Sequence, residues 1–133
     1  MRRRLSALLT AFLLPIAAIV ALPSPAHAAT YCYTTIAFTP SGWLSGDGLV
    51  DNCVQPITAE LHLREDRPWL PDREVSADYR YDVTAAYMIA VASYCQPTPG
   101  EWHDYFVETR VKVGGSYQQK QQSGRWSIQR YCY

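Results

Sequence analysis

Residues 102–132, WHDYFVETRVKVGGSYQQKQQSGRWSIQRYC, read as one long β-hairpin turning at Gly114-Gly115. A Gly-Gly pair supplies the positive φ angles that a two-residue hairpin turn requires. With Val113 opposite Ser116, Lys112 faces Tyr117, Asp104 faces Arg125 and Tyr105 faces Gly124. The first pair sets an ammonium against a ring and the second pairs opposite charges. Such cross-strand pairs contribute about 0.2–1 kcal/mol each. In the third, a ring covers the backbone that glycine leaves bare. Tyr105, Val107, Thr109, Val111, Trp126 and Ile128 fall on one face, which assigns Tyr105 and Trp126 to the core. Asp104, Glu108, Arg110 and Lys112 take the other face. The register strains only near the turn, where Gln118, Lys120 and Gln122 land on the apolar side, so the tip is expected to project past the core.

The hairpin bears on the four cysteines, Cys32, Cys53, Cys95 and Cys132. An even count in a small exported domain indicates disulfides, and four cysteines allow three connectivities. Cys95 precedes the first arm and Cys132 ends the second, so both lie at the open end of the hairpin. That favours Cys95–Cys132, with Cys32–Cys53 following by default. The rival, Cys32–Cys132 with Cys53–Cys95, would tie the chain ends together. No C-x-x-C spacing suggests zinc.

Export is read from the N-terminus. Met1-Arg2-Arg3-Arg4, the apolar run Leu5–Leu22 and Ala26-His27-Ala28 form a secretory leader over residues 1–28. The adjacent arginines also permit the twin-arginine route, but Ser6 and Ala7 favour the general one. Losing Arg2, Arg3 and Arg4 from 12 basic residues leaves 9 against 12 acidic ones, net −3, in a secreted domain spanning 29–133. No basic patch remains to hold a phosphate backbone, so no nucleic-acid partner is expected. No second apolar stretch is long enough to span a bilayer. The expected protein is an extracellular monomer that leaves the membrane after cleavage.

The rest of the chain alternates strands and turns. Tyr31–Thr39 reads as a strand, PSGWLSGDG (40–48) as a turn-rich connection, and Leu49–Val54 as a short strand returning Cys53 towards Cys32. Ile57–Arg64 alternates cleanly, with Ile57, Ala59, Leu61 and Leu63 inward and Thr58, Glu60, His62 and Arg64 on a wet face. EDRPWLPDRE (65–74) is an exposed loop, and Ala77–Val83 alternates again. TAAYMIAVASYC (84–95) suits either a central strand covered on both faces or a short helix, and Ile89 and Val91 favour the strand. Strands joined by short turns without helices indicate an all-β, antiparallel sandwich, Ig-like or barrel-like, stapled by two disulfides. The pattern carried by Cys32, Gly46, Gly48, Leu49, Cys53, Leu61, Trp69, Cys95, Gly114 and Cys132 resembles small secreted actinobacterial β-sandwich proteins of unassigned function. The resemblance implies the same fold and an extracellular setting.

Catalytic and metal signatures are not found. His103 and Asp104 are adjacent on a strand and point to opposite faces, so they form no dyad. His62 is expected on the wet face, without a second histidine at ligand spacing. Gly46-Asp47-Gly48 with Asp51-Asn52 lacks the carboxylate offsets of a calcium loop and reads as a turn. No cofactor motif occurs, and the chain is not expected to be an enzyme. Aromatic residues are the one excess: Trp43, Trp69, Trp102 and Trp126 accompany ten tyrosines. Exposed rings stack on sugars or anchor protein partners. Trp43, Trp69 and Leu70 lie in loops and are the candidate contact surface. The functions this leaves open are a glycan or cell-wall binding module, a protease inhibitor acting through the stiff Pro68-Trp69-Leu70-Pro71 loop, and, last, a hydrolase.

Overall fold

The computed structural model describes residues 31–40 and 43–133. The expected leader, 1–28, lies outside them. Among the described residues every regular element is a strand: β1 Tyr33–Thr39, β2 Ser45–Asp51, β3 Ile57–Asp66, β4 Arg73–Val83, β5 Ala86–Val91, β6 Cys95–Pro97, β7 His103–Val113, β8 Ser116–Gln122, β9 Trp126–Ile128 and β10 Arg130–Cys132. Among the described residues no helix is long and apolar enough to cross a membrane.

The strands form two packed antiparallel sheets and a small ribbon. The larger sheet runs β4-β3-β7-β8 with β9 beside β7, the smaller runs β1-β2-β5, and β6 pairs with β10. Leu61, Leu63, Tyr105, Val107 and Val111 of the larger sheet meet Val50, Met88 and Ala90 of the smaller. The fold class expected from strand spacing is the one observed. The residues 84–95 supply a strand, not a helix.

Gly46 and Gly48 set the distance between the sheets. A Cβ on Gly46 would lie 2.5 Å from Val107 Cγ2, and one on Gly48 would lie 2.8 Å from Leu61 Cδ1. These glycines therefore serve the strand rather than a turn, and β2 begins at Ser45 inside the stretch expected to be a connection. Close approach of another strand is a reason for glycine within a sheet.

Disulfides join Cys32 to Cys53 and Cys95 to Cys132. Cys95 and Cys132 are themselves opposite in the β6–β10 ribbon. Tyr105, fully buried, ties this ribbon to the core: its hydroxyl donates to the Arg130 carbonyl (3.1 Å) and accepts the Cys132 N–H (2.9 Å).

The hairpin register holds only at its turn. Val113 faces Ser116 and Lys112 faces Tyr117, as expected, with Gly114 and Gly115 both at positive φ. A bulge then leaves Gln118 unopposed, and Val111 faces Gln119. The extra residue exchanges the faces of everything that follows in β8. Lys120 and Gln122 move to the outer face opposite Arg110 and Glu108, while Gln119 and Gln121 turn inward. The inward amides have a task. Gln119 Oε1 accepts the Cys32 N–H (3.1 Å) and Gln119 Nε2 donates to the Cys32 carbonyl (2.9 Å), so one side chain does the work of a neighbouring strand. Thr34 Oγ1 donates to Gln121 Oε1 at 2.8 Å. The polar tip expected to project beyond the core instead closes the seam between β8 and β1.

Further slippage lies beyond the bulge. Tyr105 faces Trp126, not Gly124, and Asp104 faces Ser127, not Arg125. Arg125 instead pairs with Asp66, which is the β3 neighbour of Asp104. Trp126 is not core: it is 53% exposed on the short outer strand β9. The strand β5 is an edge rather than a covered centre, burying Met88 and Ala90 and exposing Tyr87, Ile89 and Val91.

Candidate functional site

All four tryptophans gather at one end of the sandwich, and pairing shows why. Gly46 packs on Val107 and Gly48 on Thr109, so β2 and β7 run in the same direction across the core. Trp43, ahead of β2, therefore lies at the end where β7 begins, the end that also carries Trp102. Trp126 faces Tyr105 at that end of β7. The β3–β4 connection carries Trp69, and it starts at Asp66, opposite Asp104. The turns Thr84-Ala85 and Gly114-Gly115 occupy the other end.

All four indoles are exposed, and Trp69 is completely so, at 101%. Its φ is +68°, a left-handed conformation that costs a residue with a Cβ roughly 1–2 kcal/mol. Such strain persists where the surroundings enforce it, and it clusters at ligand contacts. Here the enforcement is visible. Leu70 N–H donates to the Arg67 carbonyl (3.2 Å), and Arg67 Nε and Nη2 both donate to the Pro71 carbonyl (3.0 and 2.6 Å). The loop is a clamped turn with an indole at its apex and Leu70 exposed beside it. Trp43, Trp69 and Leu70 are thus on the surface at one end, joined by Trp102, which sequence reading left unassigned, and by Trp126, which it assigned to the core.

The outer face of the larger sheet departs most from expectation. His62 is 4% exposed and does not face solvent. Its Nδ1 lies 2.6 Å from Glu74 and its Nε2 3.1 Å from Glu60. Glu60 also receives Lys112 at 2.5 Å. Burial acts to raise the Glu60 carboxyl, but the hydrogen bonds from Lys112 and His62 outweigh it and hold the group below its ordinary value. Glu108 is fully buried among Arg110, Lys120 (2.8 Å) and Gln122. There too burial is outweighed by the Lys120, Gln122 and Arg110 hydrogen bonds, and the carboxyl is lowered. Arg110 donates to the Tyr117 hydroxyl (2.9 Å), and Lys112 lies 4.5 Å from the centre of that ring. The Lys112 hydrogen bond, joined by that from Arg110, lowers the Tyr117 phenol.

His103 is not isolated either. Its Nδ1 lies 2.8 Å from Glu65, which also holds Arg73 at 2.7 Å. Arg73 stacks over Tyr131 and donates to the Cys132 carbonyl at 2.5 Å. Asp104 takes no part; it accepts from Ser127. His103 Nε2 is buried with no hydrogen-bond partner among the described residues, although the side chain as a whole is 18% exposed. Both histidines are structural cross-links between strands. The signal for this was present in Glu60, His62 and Glu108, which share a face, but the pairing of β3 with β7, which brings Lys112 to Glu60 and His103 to Glu65, is distant in sequence.

Among the described residues no group of three or more His, Cys, Asp or Glu side chains is placed to hold a metal ion. Asp47 and Asp51 do not converge: Asp47 accepts the Tyr87 hydroxyl (2.6 Å), and Asp51 accepts the Asn52 N–H (2.8 Å). No protein-family model, curated protein or solved structure matches this chain.

Proposed function

We propose that this chain is a secreted, non-catalytic binding module that engages extracellular glycan or cell-wall polymer through its tryptophan-bearing end. The observation that carries the reading is Trp69, wholly exposed and held at positive φ by the Arg67 clamp. A free chain would relax this conformation, so keeping an indole there is understandable as presentation of a contact surface. Exposed Trp43, Trp102 and Trp126 at the same end extend the surface to several rings. Interspersed ion pairs such as Arg125–Asp66 offer donors and acceptors to sugar hydroxyls. Two disulfides and the leader-like N-terminus support an extracellular setting.

The inhibitor reading fits less well. A protease cleft takes an extended segment, whereas Arg67–Pro71 is a tight turn closed by the Leu70 N–H.

The test is retention of the protein on insoluble polysaccharides and on peptidoglycan. Retention is expected on at least one polymer, with a fall of about tenfold in Trp69→Ala, as expected for loss of a contact of about 1.4 kcal/mol. No retention, or equal retention of the variant, rejects the proposal. Trp69 touches no core, so the variant folds as the parent does.

A further inference from the structure

The smaller sheet carries charge of one sign only. Its strands β1, β2 and β5 contain no lysine, arginine or histidine, and their charged residues are Asp47 and Asp51, both on β2. Gly46, Gly48 and Val50 of β2 face the core, so both carboxylates lie on the outer face, on either side of Leu49. Two cross-strand rungs occupy the middle of that face: Thr35, Leu49 and Tyr87, then Ala37, Asp47 and Ile89. The β1 side is low, because Thr35 and Ala37 are short. The β5 side is tall, because Tyr87 and Ile89 stand exposed on it. The step between them is an open depression of about 500 Å³, lined by Thr35, Ala37, Asp47, Leu49 and Tyr87. Asp47 lies half-buried there, its Oδ1 accepting the Tyr87 hydroxyl at 2.6 Å. Neither Asp47 nor Asp51 has an ion pair among the described residues. Cations on the flanking strands are already engaged, Arg80 of β4 by Asp78 and Lys120 of β8 by Glu108.

We infer that this face is a docking site for an extended protein segment that presents lysine or arginine next to apolar side chains. Charge decides the sign of the partner. Two carboxylates without cations repel a phosphate backbone or an anionic lipid surface and attract a positive group. The apolar residues decide its kind. Ala37, Leu49 and Ile89 are aliphatic, and Val91 continues the exposed apolar row along β5. An exposed apolar patch with polar groups at its margin marks a protein contact. A sugar chain stacks on flat rings, and within the depression Tyr87 is the one ring. Dimensions decide the size. The face is two strand spacings wide and, along β5, six residues long, roughly 10 Å by 20 Å. A stable pair of copies buries roughly 800 Å² on each partner, several times that footprint, so a segment fits where a second copy does not. The methylene stem of a lysine or arginine covers Ala37 and Leu49 while its charge meets Asp47 beside the Tyr87 ring. The Tyr87 phenol is raised above its ordinary value, chiefly by its hydrogen bond to Asp47. That bond sets the carboxylate in place before the partner arrives, which lowers the ordering cost of binding.

The site shares no residue with the tryptophan-bearing surface, so neither reading depends on the other. Fluorescence anisotropy of three short labelled peptides of equal length is measured with the protein. One repeats threonine, lysine and leucine, the second has serine in place of leucine, and the third has glutamate in place of lysine. The lysine–leucine peptide is expected to bind saturably, and more weakly as salt rises. The other two are expected to bind at least tenfold more weakly. Asp47→Asn and Ile89→Thr are each expected to weaken the lysine–leucine peptide about tenfold, with thermal unfolding showing that both keep the fold. No saturable binding, equal binding of the serine peptide, or parental affinity in either variant overturns the inference. Two further outcomes would put another occupant on the face and overturn it as well, each with no peptide bound. One is a dimer in sedimentation that Asp47→Asn returns to monomer. The other is retention on chitosan but not on chitin, lost in Asp47→Asn.

Discussion

The outer faces of the two sheets contradict hydropathy in opposite ways. On the larger sheet, Glu60, His62 and Glu108 are buried although every one is polar. On the smaller, Tyr87, Ile89 and Val91 are exposed although all are apolar. The difference lies in side-chain reach. Arg110, Lys112 and Lys120 each reach to a carboxylate on the neighbouring rung and lie over it, so the charged layer shields itself. The smaller sheet presents Thr35, Ala37, Ser45 and Asp47 beside its apolar residues, and none is long enough to lie over them. Only Asp47 engages a neighbour, taking the Tyr87 hydroxyl. Strand alternation says which way a side chain points. Whether it is covered depends on the lengths of its neighbours along the same strand and on the adjoining ones.

This contrast can be broken most forcefully at Glu108. Replacing it with alanine strands Arg110 and Lys120 around a fully buried gap, and loss of one partner of a buried ion cluster costs about 3–5 kcal/mol. Chemical denaturation of Glu108→Ala should show that loss. Acid titration sharpens the same point. Glu60 and Glu108 both titrate below their ordinary 4.5 in the fold. Their stabilisation is therefore complete above that value and disappears as pH falls through the lower, folded-state values. The midpoint of thermal unfolding should fall between pH 5 and pH 3, by less in Glu108→Gln.

The smaller sheet depends on fit instead of charge. Gly46→Ala drives a methyl into Val107 and should cost about 1–3 kcal/mol, equally at pH 7 and pH 4. The smallest effect is expected on its outer face. Ile89→Thr and Val91→Thr, each already half in solvent, should move stability by less than about 0.5 kcal/mol. A larger loss there would mean that the apolar face is covered in solution.

How far the sequence could be read follows from the same physics. Gly114-Gly115 specified the turn and its first two rungs, and the open end of that hairpin specified Cys95–Cys132. The register failed one residue later, at Gln118, though the warning was visible: three polar side chains fell on the apolar face together. A bulge was the cheapest remedy, and its benefit, the Gln119 bonds to Cys32, spans 87 residues and leaves no local trace. Gly46 and Gly48 misled because glycine marks turns and close sheet contacts alike. The loop tryptophans Trp43 and Trp69 were legible as surface because prolines and glycines surround them. Trp126 was not, since its alternation suits the core and only the shortness of β9 places it outside.

Cys32 is gripped three times: its sulfur by Cys53, and its amide and carbonyl by Gln119. It acts as a datum mark for the whole of β1. A shift of one position along β2 would swing Ile36 and Phe38 out of the interior and bring Thr35 and Ala37 in. With the first rung locked from two sides, that misalignment would have to break a covalent bond before it could begin. A weakly patterned opening strand, YTTIAFT, can therefore be tolerated, because its alignment is set by the residue in front of it.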